Sequence, residues 1–326
     1  MSYAAYIREI ARGPNGANDL SYADSRTLYD AMLSGKVPDL EIGAIITAFR
    51  LKGETLEEMH GFSDAAHINT ASLLPPAYRD SFRPIVIPSY NGARKIPNLT
   101  PLLALALRSF NVPVVVHGLE DEFGRVTTAR VFSELDISPV ASLAEAQSHL
   151  QGQKIAFIPL PILSPGLTQQ LTLRNRTGLR NSAHSLVKML DPFKGDGIVI
   201  MAATHPEYID SMRRTALNRG QCALLLRATE GEPFANPKRR PAIEFIHGKM
   251  VESLYEAEHE SLKLMPNLPE ESDAVTTAAW ISQVLQGNVP MPSPVADQLA
   301  ACLFACGHSE SLTSARAAIL SRLKIS

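Results

Sequence analysis

Residues 30–62 read DAMLSGKVPDLEIGAIITAFRLKGETLEEMHGF, and their punctuation decides how the chain begins. Gly35 stops one helix, and Pro38 suits the first position of the next, where a missing N–H costs nothing. Leu40, Ile42, Ile45, Ile46 and Phe49 supply the apolar face of that helix, and Gly53 closes it. Thr55 and Glu58 stand at capping-box spacing and open a third helix. Upstream, Ser21 followed by Asp24 is an N-terminal capping pattern for the segment that ends at Gly35. Residues 1–75 therefore read as a helical domain.

From about residue 82 short apolar runs alternate with helical stretches. Pro84–Pro88, Val112–Val116, Ala156–Ile158, Ile198–Ala202 and Ala223–Leu226 read as strands. Thr100–Phe110 and Pro206–Arg219 read as helices between them, and Ala274–Leu285, Val295–Cys306 and Ser311–Leu323 as closing helices. Such alternation predicts an α/β domain with a largely parallel sheet over residues 76–326.

The chain has 326 residues, 45% of them hydrophobic and 20% charged, which excludes a disordered polymer. Three cysteines, Cys222, Cys302 and Cys306, are too few for a secreted disulfide scaffold. Cys302, Cys306 and His308 lack a nearby fourth ligand and read as packed or surface groups, so no metal site is expected. No apolar run reaches the ~20 residues that span a bilayer, and the N-terminus lacks an apolar leader core. A cytoplasmic protein with no membrane partner is expected.

A net charge of −2 hides an uneven distribution. Residues 174–240 hold 12 Lys or Arg against six Asp or Glu, and residues 241–300 hold two Lys against nine Asp or Glu. The Gly178–Asp191 stretch reads as a helix, which would set Arg180, His184 and Lys188 on one face. Arg174 and Arg176 precede it, Arg213, Arg214 and Arg219 lie on or beside the next helix, and Lys238-Arg239-Arg240 follow in a proline-flanked loop. Tyr208 and Phe234 are the aromatic candidates near this block. A basic stripe is most often a solvated face, and His117 and His247 are most often structural histidines.

The Asp30–Phe62 stretch resembles the N-terminal region of the anthranilate phosphoribosyltransferase family, and the strand–loop–helix order continues that likeness over most of the chain. The resemblance implies a glycosyltransferase family 3 fold, like that of nucleoside phosphorylases and class II phosphoribosyltransferases. A small helical domain, joined by helices near 165–191, would sit on the α/β domain. In that family the cleft between the two holds phosphoribosyl pyrophosphate, magnesium and an aromatic or nucleobase acceptor.

Residue by residue, the family's substrate motifs are degenerate here. Its GTGGD loop, which presents backbone N–H groups to pyrophosphate, is matched by Pro88-Ser89-Tyr90-Asn91-Gly92. Its N-x-S-T motif becomes Asn98-Leu99-Thr100-Pro101. Its KHGNR motif becomes Val116-His117-Gly118-Leu119-Glu120, without either cation and followed by Asp121 and Glu122. Its metal-binding Asp-Glu pair falls on Pro233 and Phe234, with Glu230 and Glu232 close by. Arg180 matches the arginine that faces the acceptor substrate in the enzymes.

A kept scaffold with erased substrate motifs resembles the TrpD-like paralogues of YbiB type, homodimers that share the fold, lack the activity and bind nucleic acid. The resemblance implies a catalytically silent protein with no cofactor and no catalytic residue. It would hold DNA or RNA through phosphates, with little sequence preference. Arg174, Arg176, Arg180, Lys188, Arg213, Arg214, Lys238, Arg239 and Arg240 are the candidate phosphate contacts. The alternatives are a diverged but active phosphoribosyltransferase and a dimeric scaffold for an acidic protein.

Overall fold

The computed structural model describes residues 2–13, 15–76, 82–152, 154–260, 262 and 267–326. Four helices come first: α1 (Tyr3–Ile10), α2 (Tyr22–Leu33), α3 (Asp39–Lys52) and α4 (Leu56–Ile68). The starts of α1, α2 and α4 are fixed by side chains that accept otherwise orphaned N–H groups. Ser21 Oγ accepts from Asp24 N at 3.2 Å. Thr55 and Glu58 form the reciprocal box that their spacing predicts, and Pro38 stands one residue before α3 as its N-cap. Glu58 does more than cap. Its buried carboxylate also accepts from Leu20 N and from Lys52 Nζ, each at 2.8 Å, and so ties three segments together.

Phe62 is the centre of this bundle, with ring centroids of Tyr29 at 4.5 Å and Phe49 at 5.0 Å. Leu167, Leu171, Ala183 and Leu186 pack into the same core from the 165–190 region. Gly61 lets α2 and α4 approach closely, since a Cβ there would lie 2.7 Å from both Arg26 N and Tyr22 O.

The remainder alternates strands and helices: β1 (Ile85–Pro88), α5 (Thr100–Ser109), β2 (Val114–Gly118), α6 (Thr128–Ser133), α7 (Leu143–Gly152) and β3 (Ile155–Pro159). Short helices α8 (Leu160–Leu163), α9 (Pro165–Thr172), α10 (Arg174–Thr177) and α11 (Ala183–Leu186) then visit the bundle. The chain returns through β4 (Ile198–Ala203), α12 (Pro206–Arg219), β5 (Ala223–Arg227), β6 (Ile243–His247) and β7 (Met250–Tyr255). It closes with α13 (Ala274–Leu285), α14 (Ser293–Ala305) and α15 (Leu312–Leu320). The sheet order is β3-β2-β1-β4-β5-β6-β7. Strands β1 to β5 pair in parallel and β6 and β7 add antiparallel. Every residue of β1 to β4 is buried, as parallel strands with both faces covered require. Cys302 and Cys306 are buried free thiols in this core. Among the described residues no helix is long and apolar enough to cross a membrane.

Two sequence expectations need correction. Gly178–Asp191 is not one helix: Gly178, at φ +70°, ends α10, and only Ala183–Leu186 and a 3-10 turn over Val187–Met189 are helical. Asn181 breaks the stretch, because its side chain donates to Gln170 O at 2.8 Å and accepts from Ala183 N at 3.0 Å. The β6–β7 hairpin was not expected, although the alternation in Ile243–His247 followed by Gly248, at φ +60°, is its signature.

The close approach at Gly61 gives a direct test. We expect Gly61→Ala to destabilise the protein by about 1–3 kcal/mol, the usual cost of overpacking. A lower urea midpoint at unchanged m-value would show it.

Candidate functional site

The site forms where β1, β2 and β5 end, at one edge of the parallel sheet. After β1 the chain turns through Ser89, Tyr90, Asn91 and Gly92. Ser89 N donates to His117 O at 2.8 Å, and Gly92 makes the turn at φ +70°. Gly118 is required, since a Cβ there would fall 1.7 Å from Ser89 O.

This loop offers its N–H groups as an anion-binding nest would, and an anion of the chain's own occupies it. Beyond β5, Glu230 and Gly231 both adopt positive φ, which turns Glu232 back into the loop. The fully buried Glu232 carboxylate accepts from Asn91 N at 2.9 Å and Gly92 N at 2.8 Å. It also accepts from Ser89 Oγ, and from Thr100 Oγ1 at 3.3 Å. Glu230 does the same one turn further on, accepting from Arg94 N at 2.6 Å and Lys95 N at 2.9 Å. Asn98 completes the network, donating to Thr128 Oγ1 at 3.1 Å and accepting from Thr100 N at 3.1 Å. Burial raises the Glu232 pKa, opposed by its hydrogen bonds and by the Lys188 charge.

Ser89, Asn91, Gly92, Asn98 and Thr100 are thus brought together, with the Glu232 side chain as the hub. The magnesium implied by the family resemblance finds no ligand set here. Pro233 and Phe234 carry no donor side chain, and Glu230 and Glu232 are spent on the loop. Among the described residues no group of His, Cys, Asp or Glu gathers as a metal ion would need.

Beside the loop, a cleft of about 700 Å³ opens between the helical bundle and the sheet edge. Tyr90 and Lys188 line it, with Arg50 from α3, and Arg125, Arg180 and His184. Tyr90 is buried, which pushes its hydroxyl up to about 12. His184 meets the Tyr90 ring edge-on at 5.9 Å, and burial holds both His184 and His117 at about 3, hence neutral. Arg50 Nη1 donates to Tyr208 Oη at 3.0 Å and so bridges α3 to α12.

The expected phosphate contacts divide into groups. Lys188 is not a surface cation. It is 8% exposed, donates to Ala202 O at 2.8 Å, and is lowered to about 8 by burial. Arg213 is held by Glu244 at 2.7 Å and Asp210 at 3.1 Å, and Arg240 by Asp297 at 2.8 Å, so both serve as struts. Arg174 and Arg176 reach Glu122 at 3.6 Å and Asp39 at 2.8 Å in solvent-accessible pairs, and exposed Arg214 reaches Asp210 at 3.9 Å. Such pairs contribute about 0–1 kcal/mol and exchange readily. Arg180 is exposed, pairs with no carboxylate among the described residues, and donates to Asn91 Oδ1 at 3.1 Å. Lys238 and Arg239 are also exposed. Of the aromatic candidates, Phe234 is fully buried.

Sequence reading missed Arg50, Arg94, Lys95 and Arg125. The first three are exposed and Arg125 is half-buried. Burial lowers the Arg125 pKa, and the charges of Arg94 and Arg180 lower it further, so three guanidinium groups share the rim. Arg94-Lys95 was visible as a pair, yet only the sheet topology sets it beside Arg180.

Comparison with known proteins agrees with this fold. Residues 4–67 match the helical bundle domain of a glycosyl transferase family. The chain is 42% identical over 320 residues to the uncharacterized protein YbiB of Escherichia coli K12, covering 98% of this chain and 99% of that one. It is 23% identical over 276 residues to anthranilate phosphoribosyltransferase of Vibrio cholerae, covering 82% of this chain and 80% of that one. The crystal structure of anthranilate phosphoribosyltransferase from Thermus thermophilus superposes with a TM-score of 0.78 at 18% identity, covering 98% and 94% of the two chains. The Saccharomyces cerevisiae enzyme in complex with PRPP and Mg does so with a TM-score of 0.74 at 14% identity, covering 98% and 93%. Near-complete coverage at 42% identity, on a shared bundle and a shared fold, means that this chain belongs to the anthranilate phosphoribosyltransferase-like family, alongside YbiB.

Proposed function

We propose that this chain is a catalytically silent member of its family, and that it binds DNA or RNA through phosphates with little sequence preference. One observation carries the reading: the loop's N–H groups are taken by buried Glu232 and half-exposed Glu230, while Arg125 and Arg180 line the cleft beside it and Arg94 lines the adjoining hollow. A site for a polyanionic small substrate needs the loop's N–H groups free and cations beside them. Here the N–H groups are spent, and the cations face outward, where an extended polyanion meets them. The contacts we assign are Arg50, Arg94, Lys95, Arg125, Arg180, Lys238 and Arg239, joined by Arg174, Arg176 and Arg214 when their surface pairs exchange. Lys188 is removed from this surface by its burial.

We also propose a homodimer through the helical bundle. On α3, Leu40 is 83% exposed and Leu51 73%, and with Gly43, Ala44 and Thr47 they line an apolar hollow. Their spacing sets them on one helix face, and a second copy would cover it.

Five outcomes test this reading. Affinity for fluorescent oligonucleotides should fall with salt, at a log–log slope of about −0.7 to −0.9 per phosphate contact. Arg180→Glu with Arg94→Glu should weaken all sequences alike, while Arg108→Glu on a remote exposed site should not. Equal loss in the control would overturn the site assignment. Wild-type protein should neither bind phosphoribosyl pyrophosphate with magnesium at micromolar concentration nor turn it over with any aromatic base. Glu232→Ala should lose about 3 kcal/mol or more through its stranded donors, and inorganic pyrophosphate should raise the melting temperature of that variant alone. Light scattering should give about twice the 35.4 kDa chain mass, and Leu40→Glu with Leu51→Glu should return the monomer.

A further inference from the structure

Phe123 is fully exposed, at 101%, near the tip of the loop that follows β2. A ring held wholly in water forgoes the burial that stabilises other aromatic side chains. Charged side chains surround it, which a purely hydrophobic partner would leave unpaired. Phe123 lines a hollow with Arg94, Arg125 and Arg130, and with Asp121 and Glu122 of its own loop. Arg125 is anchored by donating Nη1–H to Gly92 O at 2.9 Å. Among the described residues, neither Arg94 nor Arg125 has a carboxylate within ion-pair distance. The acidic groups nearby have partners of their own, those of Asp121 and Glu122 in solvent-accessible pairs. Asp121 meets Arg130 at 2.6 Å, Glu122 meets Arg174 at 3.6 Å, and Glu230 accepts the N–H groups of Arg94 and Lys95. Glu120 is left as the exposed acid of the loop.

We infer that Phe123 is a stacking platform for an unpaired nucleobase, with Arg94 and Arg125 holding the phosphates on either side. This rests on the phosphate-binding reading above and adds what that reading lacks, the form of the nucleic acid. A base inside a duplex hides both faces in the stack, whereas a single strand turns a face outward. Phosphate-binding arginines serve either form, and the ring serves only the second. Every base has a π-face, so stacking favours single strands without selecting sequence.

The test compares a single-stranded oligonucleotide with its own duplex by fluorescence anisotropy. Phe123→Ala and Phe123→Leu should each weaken the single strand by about five- to hundred-fold, the range for one base stack. Both should leave duplex affinity and melting temperature unchanged, since the residue is exposed. Phe123→Trp should keep single-strand affinity, and its indole emission should be quenched by the single strand and not by the duplex. The one native tryptophan, Trp280, is buried and supplies a constant background. Arg94→Glu and Arg125→Glu should weaken both forms. Unchanged single-strand affinity in Phe123→Ala, or equal loss on the duplex, would overturn the stacking inference and leave the phosphate-binding proposal standing. Failure of the wild-type protein to bind either form at low salt would overturn both.

Discussion

The Glu232 carboxylate holds the centre of the molecule. It is fully buried, and a buried carboxylate is tolerated only when its lone pairs are matched. Two backbone N–H groups and two hydroxyls match them, from Ser89, Asn91, Gly92 and Thr100. These donors lie on the turn after β1 and at the start of α5, and the acceptor comes from the turn after β5. One side chain therefore clasps three elements at the sheet edge, in the place where an anionic ligand would otherwise organise the loop. Lys188, buried beneath, supports the negative charge through space, and its own ammonium is steadied by Ala202 O. The arrangement resembles a buried ion pair in its energetics. Removing one partner is costly because the other remains buried.

The sheet explains why so many sequence-distant groups meet. Parallel strands all end at the same edge, and their following loops converge there. The turn after β1 brings Arg94 and Lys95, the loop after β2 brings Phe123 and Arg125, and the turn after β5 brings Glu230 and Glu232. The bundle adds Arg50, and the segment that visits it adds Arg180. No linear window contains this set. Its members span residues 50 to 232, and the basic block of residues 174–240 captures only Arg180 among its cations.

The legible part of the sequence was local. Thr55 with Glu58, Ser21 with Asp24, and the apolar runs of β1 to β5 act over a few residues, and the chain forms them as read. The unread part depended on packing. Lys188 looks like its neighbours in a basic stretch, yet the break at Gly178 and Asn181 turns it inward. Arg213 and Arg240 count as positive charge in a tally, but Glu244 and Asp297, from the acidic half of the chain, neutralise them in space. The basic block and the acidic block are thus partly each other's partners, which a charge count along the chain does not reveal. Phe123 was missed for the same reason: an apolar residue in an acidic loop gives no sign of exposure until the loop is folded.

The division between inner carboxylates and outer arginines has a consequence for recognition. Glu232 inside the loop and Glu230 at its edge repel any further anion, each bonded directly to the N–H groups it occupies. At the rim the arginines stand in higher dielectric, where each interaction is weak and screened by salt. A small anion gains little from any one such contact. A polymer that touches several of these cations at once releases several counterions, and its affinity grows with each contact. On the function proposed above, the same geometry would close the site to a sugar pyrophosphate and suit it to a chain of phosphates laid across its mouth.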